Sequence, residues 1–221
     1  MSVTSALLGD TIAITDDEWQ MPSRLPGWTR AHIAAHLSRQ ADGLVRVLDQ
    51  LKRGEPTSLY ASRTTAENDI ERGSERTALE LQEDLDASAG RLQERFADLL
   101  ELPPGQPVRL TANTTVRLDC LPIIRFNHLV LHHIDLDVGY TCQAIESDVA
   151  AWLLAYNAAR IGRDSTLPAI RLVSDSGVTA MIGGPGRPLV AHGTDGLLLC
   201  WLTGRIPPDQ IDARLPAMPI R

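Results

Sequence analysis

The 221-residue sequence has few aromatic residues, few cysteines and a shortage of positive charge, and it contains no long apolar run. A membrane-spanning helix needs about 18 or more consecutive apolar residues, so no span is expected. The opening stretch MSVTSALLGDTIAITDDEW lacks a basic start followed by an apolar core, so no secretory signal is expected. Lys and Arg total 21 against 28 Asp and Glu, a net charge of −7. That balance excludes a phosphate-tracking nucleic-acid binder, whose affinity comes from cations displacing counterions. With aromatics at 4%, base stacking has no platform either. Cys120, Cys142 and Cys200 are odd in number, far apart and without C-x-x-C spacing, so no disulfide framework is expected. They read as inert thiols in apolar surroundings, in a reducing cytoplasm.

What remains is an ordinary globular composition, 43% apolar and 22% charged. A helix is expected somewhere within residues 3–18. Thr29 reads as an N-cap for a helix carrying Ile33, Leu37, Leu44, Val47, Leu48 and Leu51 at helical spacing, stopped by Gly54-Glu55-Pro56. Residues 57–76 read as a polar loop. Residues 77–100 return to a helical stripe of Leu81, Leu85, Leu92, Phe96 and Leu99, and Val108–Leu118 suits a hairpin. Pro122 fits the first turn of a helix running to about Val138, with Gly139 as its C-cap. A helix over 147–161, β-prone runs at 169–174, 178–182 and 188–192, a helix over 194–202 and an extended proline-rich tail complete the chain. The expected fold is mainly α with a small α+β part. It comprises a four-helix bundle over residues 1–145 and a small α+β domain over 146–221.

The six histidines carry most of the chemical information. In PIIRFNHLVLHHIDLDV, His128 and His132 lie four residues apart on one helical face, and Arg125 and Asp135 extend that stripe. The rest of the helix is apolar nearly all round, as in a buried bundle helix. Polar groups buried there need partners. An i,i+4 pair of imidazoles supplies two ligands to one metal ion, and a catalytic site needs a third and an open position. His36, on the core side of the Thr29 helix, is the leading third ligand, and His32 competes with it. Asp135 suits an acceptor for a ligand's ring N–H, or else a salt bridge with Arg125. His133 faces elsewhere.

The stretches LPGWTRAHIAAHL (25–37), RFNHLVLHHIDLDVG (125–139) and GLLLCWLTGR (196–205) resemble, in order and spacing, the motifs of the mycothiol-dependent maleylpyruvate isomerases, in the DinB-like metalloenzyme superfamily. The resemblance implies a DinB-like bundle with a small C-terminal domain. It implies His36, His128 and His132 as ligands of zinc or another divalent transition metal, and Arg205 as a catalytic arginine. Mycothiol, the low-molecular-weight thiol of actinobacteria, is the implied cosubstrate, and a small electrophile the implied substrate. Two positions depart from the family pattern. His128 stands where the isomerases carry glutamate, and Ala66 stands where they carry an arginine, with Arg63 close by. Tyr60 and Arg63 are candidates for a pocket rim, and Trp28 for a pocket wall or an anchor of its turn.

The implied reaction is cis–trans isomerisation by thiolate addition and elimination, in a cytoplasmic monomer or homodimer. Three other readings stay open: a mycothiol S-transferase, a non-catalytic metal-binding stress-response module, and a hydrolase working through zinc-bound hydroxide.

Overall fold

The computed structural model describes residues 2–103, 105–162 and 164–220. Two compact units divide between Gly139 and Tyr140.

The first unit is helical. The expected opening helix is broken into α1 (Val3–Thr11) and a single turn, α2 (Asp16–Trp19). Thr15 forms a capping box with Glu18 and starts α2 afresh. Helix α3 (Arg30–Lys52) begins at the predicted Thr29 cap. The segment expected to be a loop contains α4 (Arg63–Ser74), capped by Ser62. Only Ile70 among its apolar residues is buried, so little hydrophobic periodicity announced it. Helix α5 (Ala78–Phe96), the hairpin β1 (Pro107–Thr111) and β2 (Thr114–Arg117), and α6 (Leu121–Asp135) follow as expected.

Helices α1, α5, α3 and α6 form a closed four-helix ring, each packed against two neighbours. Their apolar stripes build two core clusters along α3. Ile33, Ala34 and Leu37 meet Leu7, Leu81, Leu85 and Leu129 in one. Leu44 and Leu48 meet Leu92, Val108, Leu118 and Leu121 in the other. Helix α4 lies on the flank of α3, where Gly73 sits so close that a Cβ there would stand 2.7 Å from the Cβ of Ala35.

Two arginines fasten α6. At its end, Arg30 Nε donates to Leu136 O and Nη2 to Asp137 O, both at 2.9 Å, satisfying carbonyls that the helix leaves open. In its second turn, Arg125 Nη1 donates to Leu37 O and Gln40 Oε1, both at 2.7 Å. This second tie fixes the register of α6 against α3, next to His36.

The second unit contains α7 (Ser147–Ile161), strands β3 (Ile170–Ser174), β4 (Thr179–Ile182) and β5 (Leu189–Gly193), and α8 (Asp195–Leu202). The sheet order is β4-β3-β5, with β3–β4 antiparallel and β3–β5 parallel. Helix α8 is buried on nearly every face and packs on α7. The tail is not loose: Leu215 and Met218 are buried, and Trp201 Nε1 donates to Pro216 O at 3.1 Å.

The expectation of unpaired cysteines fails here. Cys142 and Cys200 form a disulfide that ties the segment before α7 to α8. Cys120, read as an inert core thiol, is the free cysteine and is half-buried beside Asp119.

Candidate metal centre

His36, His128 and His132 converge. One ring nitrogen from each lies within 4.8 Å of the others. The ring centroids are 5.7 Å apart for His36–His128, 4.8 Å for His36–His132 and 5.6 Å for His128–His132. Two of the rings come from successive turns of α6 and the third from α3, held opposite by the Arg125 tie.

The three histidines are half-buried. Burial, reinforced by the neighbouring His132 and Arg125, pushes His36 down to about 3. The ring is therefore neutral at pH 7, the state a metal ligand requires. His36 Nδ1 is buried and makes no hydrogen bond among the described residues.

His132 Nδ1 lies 2.9 Å from Asp135 Oδ2, one turn along α6, and the carboxylate is buried. A carboxylate accepts only, so His132 donates from Nδ1, which leaves Nε2 as its nitrogen for a metal. This is the carboxylate–histidine arrangement that orients metal ligands. Of the two readings of Asp135, the structure gives it the role of acceptor for His132. Arg125 is lowered to about 10, chiefly by burial, and so keeps its charge at neutral pH.

Three imidazoles, one of them orientated by a carboxylate, fit a divalent transition metal with a fourth position open. Metal–nitrogen bonds of about 2.0–2.1 Å place ligand nitrogens roughly 3.4 Å apart in a tetrahedron.

The competitor His32 is committed elsewhere. Its Nδ1 accepts from the Thr29 backbone N–H at 3.2 Å, and its Nε2 lies 3.3 Å from Glu71 Oε2. His133 faces away as expected, its Nε2 2.9 Å from Asp10 Oδ2 of α1.

The remaining predicted residues are dispersed. Trp28 stands against the cluster, its ring 5.4 Å from that of His36, and its carbonyl accepts from the Ser23 N–H that closes the turn. Tyr60 and Arg63 line a cavity of about 610 Å³ together with Ala66 and Arg109. Arg63 is nearly fully exposed and pairs with Glu67 at 2.8 Å. Arg205 belongs to the second unit, just past α8, where its Nη1 donates to Thr203 O at 2.6 Å. Sequence reasoning missed Arg109, which carries no motif and lies on a short strand. It also missed Gln40, which holds Arg125.

Residues 2–137 match the family model described as the mycothiol maleylpyruvate isomerase N-terminal domain. No curated protein matches the sequence significantly. Among solved structures, the crystal structure of the mycothiol-dependent maleylpyruvate isomerase is 21% identical. It superposes with a TM-score of 0.84 over 99% of this chain and 92% of that one. The structure of a histidine-to-alanine mutant of that isomerase is 20% identical, with the same TM-score and coverage. At this identity the likeness shows a shared fold.

Proposed function

Because the chain belongs to the mycothiol maleylpyruvate isomerase family, matched over residues 2–137, we propose that it is a mycothiol-dependent isomerase with a metal centre at His36, His128 and His132. The observation that carries this reading is the convergence of the three histidines, with His132 fixed by buried Asp135. Zinc is the first candidate, since imidazole ligands and an open fourth position suit it.

When bound, the ion supplies the positive charge that keeps a coordinated thiol deprotonated at neutral pH. A free thiol, with a pKa near 8.5, is mostly protonated there. The protein's own work is positional. His36 stays neutral, Asp135 orients His132, and the Trp28 ring stands beside His36.

In the proposed reaction the thiolate sulfur forms a C–S bond at one end of a cis double bond conjugated to a carbonyl. The displaced electron pair moves to the carbonyl oxygen as an enolate, and the former double bond rotates. Collapse of the enolate breaks the C–S bond, forms the trans alkene and returns the thiolate. Arg205 is assigned the substrate carboxylate or the enolate oxygen, a task suited to a permanently charged fork.

His128 supports a second reading. Where the family's isomerases place glutamate, this chain has a neutral ligand, so a bound dication keeps its full charge and acidifies a thiol more strongly. The thiolate so formed also serves a mycothiol S-transferase, in which the adduct is the product.

The test is metal analysis of the purified protein beside His36→Ala and His132→Ala, then maleylpyruvate conversion with substoichiometric mycothiol. One equivalent of metal lost in both variants, with many turnovers per thiol, supports the isomerase. One thiol consumed per product moves the assignment to the transferase. Folded, metal-free protein indifferent to both substitutions overturns the metal reading.

A further inference from the structure

The cavity beside α4 is a second place in the first unit built to receive a ligand. Its volume of about 610 Å³ falls in the range of small-molecule sites. Its polar lining includes Arg63, Arg109, Tyr60 and Asn113, and no acidic side chain. That is unusual in a chain of net charge −7, where most arginines of the first unit pair with a carboxylate.

Arg109 is the exception that matters. It forms no ion pair among the described residues. Only its Nε is engaged, in a long 3.4 Å bond to Thr57 O. The Thr57 hydroxyl holds the β1 backbone on both sides, donating to Arg109 O and accepting from Arg109 N–H, both at 2.9 Å. The strand is thus pinned, and on its exposed face both Nη groups of the guanidinium have no protein partner among the described residues. On the same cavity, the half-buried Tyr60 hydroxyl makes no hydrogen bond among the described residues. Burial holds its phenol up near 12, so at neutral pH it is a donor. A planar double donor and a neutral hydroxyl facing one cavity suit a carboxylate with a further oxygen acceptor along its chain.

We propose that this cavity is a binding subsite for a small organic carboxylate, held in the fork of Arg109 and hydrogen-bonded at its other end by Tyr60.

The test is calorimetric titration of the protein as purified with maleate and malate, and separately with inorganic phosphate. Saturable carboxylate binding is expected. Arg109→Gln should weaken it by at least about tenfold, the size of a lost charged hydrogen bond. Arg109→Lys, which keeps the charge and loses the fork, should fall between, and Tyr60→Phe should weaken binding severalfold. His132→Ala should leave the affinity unchanged, so the result does not depend on the metal centre. Thermal melts of each variant matching wild type confirm that the fold is intact. Equal affinity in Arg109→Gln, affinity lost in His132→Ala, phosphate binding in place of the carboxylates, or no saturable binding at all would each overturn the proposal.

Discussion

Asp135 gives the sharpest test of the metal centre, because it touches the proposed metal only through His132. Its carboxylate accepts from His132 Nδ1 at 2.9 Å, and the side chain is 1% exposed. Outer partners of this kind contribute about 10- to 100-fold to metal affinity, or roughly 1.4–2.7 kcal/mol. Asp135→Asn keeps the volume and an acceptor oxygen but loses the charge, so it should fall at the low end. Asp135→Ala removes the acceptor and should fall at the high end. The assay is competition for zinc against a chromogenic chelator at pH 7, with circular dichroism confirming the fold. His32→Ala is the control. That ring is occupied by Thr29 and Glu71, and its loss should cost α3 stability but not zinc affinity. An affinity for Asp135→Ala within twofold of wild type would refute the reasoning, since a ligand ring free to turn should bind more weakly.

Three further outcomes are expected. Burial pushes His36 to about 3 in the folded chain against an ordinary 6.5, so the unfolded state binds more protons between those values. The metal-free protein should therefore gain stability with rising pH across that window and lose about 2 kcal/mol from pH 7 to pH 5. Urea titrations should show His36→Gln flattening the slope by about that amount, and an unchanged slope would contradict the assignment. Gly73→Ala puts a methyl 2.7 Å from the Cβ of Ala35. It should cost about 1–3 kcal/mol in thermal or urea unfolding, with Ala35→Gly recovering much of the loss in the double variant. Denatured, unreduced protein should titrate one thiol, Cys120, and reduction should expose two more from Cys142 and Cys200. Breaking the bridge should destabilise the second unit by about 2–4 kcal/mol.

The parts of the structure that were legible in the sequence are those where local chemistry and tertiary packing agree. The Thr29 cap, the apolar stripes of α3 and α5, and the proline-started α6 all satisfy their backbone and bury their faces in the same conformation. Helix α4 was hidden because its burial is small. It docks against α3 through Gly73, and a glycine contact leaves no hydrophobic period to read. The Cys142–Cys200 pair was hidden for a different reason. The two residues are 58 positions apart, and only the seating of α8 on the segment before α7 brings their Cα atoms to 6.2 Å. The metal candidates sit between these cases. Spacing on α6 gave His128 and His132 directly, since i,i+4 is a local fact. On α3, spacing alone could not separate His36 from His32, because they too share a face. The choice was made by the neighbours of each ring. Thr29 captures His32 at the helix start, while Arg125, reaching across to Leu37 O and Gln40, draws α6 against the next turn and presents His36 to the pair. The third candidate ligand is thus placed by an arginine outside the histidine cluster. Arg125→Met should therefore keep both helices but loosen their register. Zinc affinity should fall although every histidine remains, and it should fall further than in Asp135→Asn, where one ring is affected and the helix pair is not.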